Sequence, residues 1–204
     1  MKEYWDEKFS NTEFAYGEEP NVFIKEKLPT FKTGKILFPA EGEGRNATYA
    51  AELGWEVSAF DISTTGKAKA TLLANSKNVK IDYQINAMLE EKYSEAEFDA
   101  ICFSYVHFEP EIKKKMFERL DKYLKKDGHI IFEAFSKEHR VLSMVNPAAG
   151  GPPDEKHMYS EKEIEEYFKN YEIIELRKEI VHLEEGFGHN GKSSVIRFIG
   201  RKLN

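Results

Sequence analysis

The stretch ILFPAEGEGRNATYAAELGWEVSAFDIS, residues 36–63, restricts the fold more than any other part of the chain. It reads as an apolar strand, a glycine-bearing loop, a helix closed by Gly54, and a second strand ending in Asp61. Two strands joined this way lie parallel with a right-handed crossover. The loop then falls at the carboxyl end of the sheet, where open α/β folds hold their ligands.

The same alternation runs through most of the chain. KILFPA (35–40), EVSAFD (56–61), VKIDYQ (79–84), FDAICFSY (98–105) and GHIIFEAF (128–135) read as strands. Between them, RNATYAAELG (45–54) and TTGKAKATLLAN (64–75) read as helices. EIKKKMFERLDKYLKK (111–126) is a further helix, with Ile112, Met116, Leu120 and Leu124 at helical spacing and Pro110 in its first turn. Two short helices precede the first strand, the second starting near Pro20. Beyond residue 145 the pattern changes to a Gly/Pro-rich loop (146–159) and then SEKEIEEYF (160–168), where Ser160 and Glu163 give a capping box. The strand-like runs 171–183 and 192–203 are joined by EEGFGHNG, which predicts an antiparallel hairpin. The expectation is one α/β domain over residues 1–204: a Rossmann-like, seven-stranded mixed sheet with an N-terminal helical cover and a C-terminal hairpin.

Charge and composition exclude several classes of partner. A net charge of −6 opposes binding to a phosphate backbone, and the lysines of 111–126 form the solvated face of an amphipathic helix. No apolar run reaches the length of a membrane span, and MKEYWDEKFSN does not resemble a signal peptide. With 1 cysteine there is no disulfide framework and no cysteine metal site. A cytoplasmic protein, monomeric or weakly dimeric, is expected, with a small-molecule substrate and neither nucleic acid nor membrane as partner.

A dinucleotide site needs G-x-G-x-x-G at the loop, and here the three positions are Ala40, Gly42 and Arg45. Glu41 and Glu43 would also stand beside the pyrophosphate. No G-K-[ST] follows, so a Walker-type loop is excluded. Asp61 is placed to accept from ribose hydroxyls. The loop suits a ligand with a ribose, no phosphates and positive charge; S-adenosylmethionine answers that description.

EGEGRNATYAAELGWEVSAFDIS resembles the cofactor motifs of class I S-adenosylmethionine-dependent methyltransferases, in particular the small tellurite-resistance/thiopurine branch. YWDEKF…FAYGEEPN, FSYVHF, GGPPD and EEGFGHNGKSSV resemble, in order, that branch's N-terminal helix and loop, its segment after the fourth strand, its late loop and its final hairpin turn. The resemblance implies a class I methyltransferase fold. Gly42 and Gly44 would pass the cofactor's methionine part over bare backbone, with Ala40 offering its carbonyl. Asp61 would bind the ribose, Ile62 would pack on the adenine, and Asn86 beside Ala87 would read the adenine amine. Tyr105 would line the cofactor floor, and Tyr16 and Gly17 would help close the site. The family usually reads Asp-Leu-Gly-Cys-Gly where this chain reads Phe38-Pro39-Ala40-Glu41-Gly42, so the early acid is missing and Glu41 or Glu43 stands as its substitute.

For the chemistry, the sequence offers His107 after the fourth strand, and His189 with Lys192 in the last turn, but no evident acid–base pair. That favours a soft or anionic acceptor, such as a thiol or a chalcogen oxyanion. The family often carries arginines where Asn190 and Lys192 stand, and a lysine does not reproduce a guanidinium fork. No metal is expected from two dispersed histidines. Cys102 reads as a packing residue, and Trp5 with Phe9 as a shared helix face that either packs on the sheet or lines a pocket. AAGGPPD is either a lid or a connector. Two other functions stand beside methyl transfer: noncatalytic binding of S-adenosylmethionine or S-adenosylhomocysteine, and nicotinamide-dependent oxidoreduction, which Arg45 argues against.

Overall fold

In the computed structural model, which describes residues 1–87, 90 and 92–204, a seven-stranded sheet is flanked by helices on both faces. The strands are β1 (Lys35–Pro39), β2 (Glu56–Asp61), β3 (Asp82–Ile85), β4 (Phe98–Ser104), β5 (Leu124–Phe135), β6 (Tyr171–Glu185) and β7 (His189–Lys202). Their order is β3-β2-β1-β4-β5-β7-β6. Pairings from β3 to β5 are parallel, while β7 runs antiparallel between β5 and β6. The seven-stranded mixed sheet and its C-terminal hairpin are as the sequence predicts.

The helices are α1 (Lys2–Lys8), α2 (Val22–Lys27), α3 (Arg45–Glu52), α4 (Thr64–Ser76), α5 (Lys113–Tyr123), α6 (His139–Val145) and α7 (Glu161–Tyr167). Alternation along β1 divides its apolar residues between two cores. Ile36 and Phe38 pack with Phe23, Ile24 and Leu28 of the N-terminal cover and with Ala47 and Ala50 of α3. Leu37 packs with Phe117 and Leu120 of α5 and with Ile164 and Phe168 beyond it. Local signals set the helix starts: Ser63 accepts from Gly66 N at the head of α4, and Ser160 with Glu163 completes the capping box of α7.

Three boundaries differ from the sequence reading. The α5 helix stops at Tyr123, because Leu124 turns extended and pairs with Phe98 across a bulge, and Pro110 lies ahead of the helix rather than in it. β3 begins at Asp82, since Asn78 takes φ +57° and Val79 N still bonds Ala74 O at the end of α4. The hairpin strands run on to Glu185 and from His189, leaving only Gly186–Gly188 as the turn. That turn is short because it docks on the N-terminal segment. Gly188 N donates to Ala15 O at 2.7 Å, and a Cβ on Gly186 would come within 2.7 Å of Gly17 N.

Candidate functional site

The loop after β1 keeps a glycine-type backbone even where glycine is absent. Ala40 has φ +49°, Gly42 +63° and Gly44 +83°. A left-handed alanine costs on the order of 1 kcal/mol, so the chain accepts strain at Ala40 to preserve the turn. At Gly44 a Cβ would stand 2.4 Å from the Ala70 side chain of α4, so only glycine lets α3 and α4 approach here.

The loop's acids point in different directions. Glu43 faces the N-terminal segment, 2.6 Å from Lys69 Nζ and accepting from Ala15 N at 2.8 Å. Glu41 bends back to the head of α3, where its Oε1 accepts from Asn46 N and Ala47 N at 2.9 and 2.8 Å. Asp61 accepts from Gly42 N at 3.1 Å and from Ser63 N at 2.8 Å, one amide to each oxygen. Burial pushes the Glu41 carboxyl up to about 7 and raises Asp61, although amide hydrogen bonds pull both the other way. Among the described residues neither carboxylate forms an ion pair, although the Arg45 charge also lowers Glu41, while Glu43 is neutralised by Lys69.

That electrostatic state tests the ligand. Two under-compensated carboxylates would be relieved by a cation and by hydroxyl donors, and made worse by a pyrophosphate. The residues therefore fit S-adenosylmethionine and oppose a nicotinamide dinucleotide. After β2, Ile62 is half-buried, and Asn86 N bonds Asp61 O at 3.0 Å. Asn86 Nδ2 is held by Gln84 Oε1 at 3.1 Å, which leaves the Asn86 amide oxygen as an acceptor. Ala87, also half-buried, follows directly.

Residues 11–17 cross the loop as a strap. Lys69 Nζ donates to Asn11 O and Glu13 O at 2.8 and 2.7 Å, and Arg45 Nη1 donates to Tyr16 O at 2.9 Å. Gly17 turns the strap with φ +75°. Beneath it Phe9 is buried against Gly42 and Gly66, and Trp5 stacks on Phe9 at 5.4 Å. This pair packs over the loop rather than on the sheet.

The other wall is a buried polar network around the end of β4. Tyr105 sits at φ +53°, an uncommon conformation for a bulky side chain. It is held there by its backbone N–H to Glu133 O and its hydroxyl to Glu133 Oε1, both 2.8 Å. Glu133, fully buried, also accepts from Asn21 Nδ2 at 2.7 Å and from Arg197 Nε. Glu185 accepts from Asn21 Nδ2 at 3.0 Å, from Arg45 Nη2 at 2.9 Å and from His189 Nδ1 at 3.1 Å. Burial would raise the Glu185 carboxyl, but the Arg45 charge and these hydrogen bonds outweigh it and hold it at about 2. The His189 ring lies 4.4 Å from each of Tyr16 and Tyr105.

His107 and His189 both approach Phe135, His107 stacked at 5.6 Å and His189 edge-on at 5.1 Å. Burial lowers both imidazoles, His107 to about 3 and His189 to about 4. His107 Nδ1 is bound to His157 O at 3.1 Å, and its Nε2 is buried with no partner. Lys192 is exposed, paired in register with His182 and three residues along β7 from His189, so strand alternation puts it on the opposite face. The structure brings the two histidines together but not the lysine. Sequence reading missed Glu185, Arg45 as its partner, and Glu133. An acid four residues before His189 was the available signal for the first. Cys102 is buried as expected, with its thiol raised by burial.

Comparison with known proteins agrees with this architecture. Residues 36–128 match the family model of the methyltransferase domain. A curated relative, the probable S-adenosyl-L-methionine-dependent methyltransferase TehB of Haemophilus influenzae, is 22% identical over 208 residues, covering 98% of this chain; the chain spans 66% of that protein's length. The crystal structure of TehB from Haemophilus influenzae superposes with a TM-score of 0.72 at 18% identity, over 98% of this chain and 66% of that one. A structure reported with the conversion of a disulfide bond into a thioacetal group during echinomycin biosynthesis superposes with a TM-score of 0.75 at 15% identity, over 100% of this chain and 92% of that one.

Proposed function

We propose that this chain, which belongs to the class I S-adenosylmethionine-dependent methyltransferases, transfers a methyl group from S-adenosylmethionine to a small-molecule acceptor. The observation that carries the reading is the half-buried Glu41 and buried Asp61, two acids with no ion-pair partner among the described residues, at a loop with three left-handed residues at the carboxyl end of β1. When bound, the cofactor supplies a methyl group on a sulfonium, a leaving group that departs neutral. Asp61 would accept from the ribose hydroxyls, and Glu41 would face the ammonium in place of the missing early acid. Asn86 and Ala87 would meet the adenine edge, with Ile62 on its face. Ala40, Gly42 and Gly44 would lie along the methionine part, Tyr105 beneath the cofactor, and Tyr16 with Gly17 across the entrance.

The acceptor would enter between Tyr16, Tyr105 and Phe135, where His189 stands with His107 behind Phe135. Alignment supplies much of the acceleration in such a displacement, and the rigid aromatic walls provide it. A thiol or a chalcogen oxyanion is the acceptor the sequence favours.

Thermal melts with S-adenosylmethionine, S-adenosylhomocysteine and NAD, confirmed by calorimetry, test the reading. Ligand at a hundred times its Kd adds about 2.7 kcal/mol, roughly 5–10 °C for a chain of this size. A shift with the two adenosyl compounds and none with NAD is expected. Binding without turnover on a broad acceptor panel would favour a noncatalytic binder, and a shift with NAD alone would overturn the reading.

A further inference from the structure

Arg45, Thr48, Tyr49 and Glu52 recur at i, i+3, i+4 and i+7, so they share one face of α3, while Ala47 and Ala50 turn into the core. Glu18, Glu19 and Pro20 pass beside that face, and Lys77 stands at the end of α4. Together with Lys25 of α2 they enclose a cavity of about 190 Å³. Residues 40–44, Asp61, Ile62 and Asn86 do not line it, so it is separate from the cofactor loop. It is smaller than the roughly 300–1,000 Å³ of sites for drug-sized ligands, and too small for S-adenosylmethionine.

The cavity wall holds an unmet hydroxyl. Thr48 is 2% exposed, and its Oγ1 is buried with no hydrogen-bond partner. A helical threonine can bond the carbonyl four residues back, but Gly44 O takes only the Thr48 N–H, at 2.9 Å. A buried donor left without an acceptor is destabilising. The rim holds uncommitted charges. Among the described residues Glu18, Glu52 and Lys77 form no ion pair, whereas Glu19 is bound to Lys25 at 2.9 Å and Arg45 to Glu185. Lys77 acts on Glu19 only from beyond ion-pair distance. The Tyr49 hydroxyl is used, donating to Lys25 O at 3.2 Å. Two carboxylates, one ammonium and one unmet hydroxyl therefore border one small space.

We infer that this cavity binds a free α-amino acid, its ammonium between Glu18 and Glu52 and its carboxylate on Lys77 and the Thr48 hydroxyl. A simple cation would be repelled by Lys77, a simple anion would meet two carboxylates, and a neutral polyol would leave all three charges unpaired. The amino acid is an effector rather than a reactant, since no residue of the cofactor loop borders the cavity, and its binding does not depend on the methyl-transfer reading. Residues 18–20 continue the strap 11–17, whose Tyr16 carbonyl accepts from Arg45. A ligand bridging Glu18 to Glu52 and Lys77 fastens that continuation to α3 and α4. It thereby favours the closed strap, because only the closed form offers all of its contacts.

The test titrates the ¹⁵N-labelled full chain with L-alanine and L-methionine. Beside them run N-acetyl-L-alanine, which lacks the ammonium, and L-alaninamide, which lacks the carboxylate. The amino acids should shift the amides of Glu18, Glu19, Thr48 and Glu52 saturably and leave those of Gly42, Asp61 and Asn86 in place. Each blocked form should bind at least about fivefold more weakly. Glu52→Gln should narrow the gap between alanine and N-acetylalanine, and Lys77→Gln the gap between alanine and alaninamide. Both positions are exposed, so neither substitution disturbs the core. Thr48→Val should raise the melting midpoint, because the unmet hydroxyl is gone, and weaken alanine binding at least about fivefold. A purely structural hydroxyl would give the first effect without the second. Saturating alanine should also slow hydrogen exchange at Ala15–Gly17. Equal binding of alanine and its blocked forms, no saturable shift at millimolar concentration, or shifts confined to Gly42, Asp61 and Asn86 would each overturn the amino-acid site. Saturable binding with unchanged exchange at Ala15–Gly17 would overturn its hold on the strap. None of these results bears on methyl transfer, which the S-adenosylhomocysteine titration decides.

Discussion

Arg45 Nη2 lies 2.9 Å from Glu185 Oε2, with side-chain exposures of 8% and 7%, so an ion pair is sealed between the first turn of α3 and the C-terminal hairpin. Arg45 occupies the position where a dinucleotide site needs glycine, and the structure gives the position another task. Its guanidinium ties the head of α3 to Glu185 with one nitrogen and to the strap carbonyl of Tyr16 with another. Three segments distant in sequence meet on one side chain.

Removing one member of a buried pair leaves the other charge uncompensated, at a cost of about 3–5 kcal/mol. We expect Arg45→Met to lower the melting midpoint by roughly 6–20 °C. Because Glu185 is held at about 2 when folded, against a usual value of 4.5, its contribution is complete above pH 4.5 and is lost as the pH falls through 2. The gap between wild type and Arg45→Met should therefore narrow in acid. A double variant, Arg45→Met with Glu185→Leu, should be more stable than Arg45→Met alone. Urea melts at pH 7 and pH 3 decide both points, and a gap independent of pH would contradict the assignment.

Ala40 and Gly44 make opposite predictions from neighbouring positions. Ala40 has φ +49°, so Ala40→Gly relieves left-handed strain, partly offset by the greater freedom of glycine in the unfolded chain. A gain of about 0.5–1 kcal/mol is expected, seen as a rise of roughly 1–4 °C. Gly44→Ala adds a Cβ at φ +83° within 2.4 Å of the Ala70 side chain and 2.8 Å of its Cα. It should lower the midpoint and weaken S-adenosylhomocysteine binding in calorimetry. Equal and small effects from the two substitutions would mean that the loop adapts freely.

How much of this was readable beforehand depended on sequence distance. The glycine loop, Asp61 and the capping box at Ser160 are contiguous motifs with local causes, and they appear where the sequence places them. The Arg45–Glu185 bond joins residues 140 positions apart, and no local pattern announces it. Glu185 was hidden because EEGFGHNG has the composition of a loop; what pulls its ends into the strands is the docking of Gly188 on Ala15. Lys192 went to the wrong face for a related reason, since strand alternation assigns a side only once the strand's start is known. The α6 helix was not read from the sequence, although Val141, Met144 and Val145 recur at helical spacing; that stripe stays exposed instead of packing on the sheet. Where the early acid had gone could not be read either, because the directions of Glu41 and Glu43 depend on Asn46, Ala47 and Lys69.

Glu41 gives the loop a pH dependence of definite sign. Its folded value is raised to about 7 from 4.5 by burial, so the folded state holds the proton more tightly than the unfolded chain. The resulting stability is complete below pH 4.5 and is lost as the pH rises through 7. Glu41→Gln keeps an acceptor for Asn46 N and Ala47 N but removes the charge. It should match the wild type near pH 4.5 and exceed it above pH 7, by roughly 1–3 kcal/mol. The same substitution should weaken S-adenosylmethionine binding by about tenfold at pH 8, a loss of about 1.4 kcal/mol. A more stable protein that binds its ligand less well marks a charge kept for function. Unchanged affinity would remove Glu41 from the ammonium site.

The strap over the loop depends on Lys69, and that dependence can be measured directly. Its ammonium, nearly buried in α4, holds Glu43 at 2.6 Å and the carbonyls of Asn11 and Glu13 at 2.8 and 2.7 Å. It also lies 4.6 Å from the ring of Phe14. Lys69→Met keeps the length and apolar stem of the side chain while severing all of the polar contacts, and it leaves Glu43 as an uncompensated buried anion. The strap's other anchors, Ala15 N to Glu43, Gly188 N to Ala15 O and Arg45 to Tyr16 O, lie C-terminal to the released stretch, so opening should start at Asn11–Phe14. A glutamate-specific protease should then cut after Glu13 about 5–30-fold faster than in the wild type, the factor that 1–2 kcal/mol of local stability represents. Saturating S-adenosylhomocysteine should slow that cleavage in both proteins, because a ligand under the strap binds only the closed form. Cleavage that the substitution accelerates but the ligand does not slow would show that the strap packs on the loop without covering the cofactor.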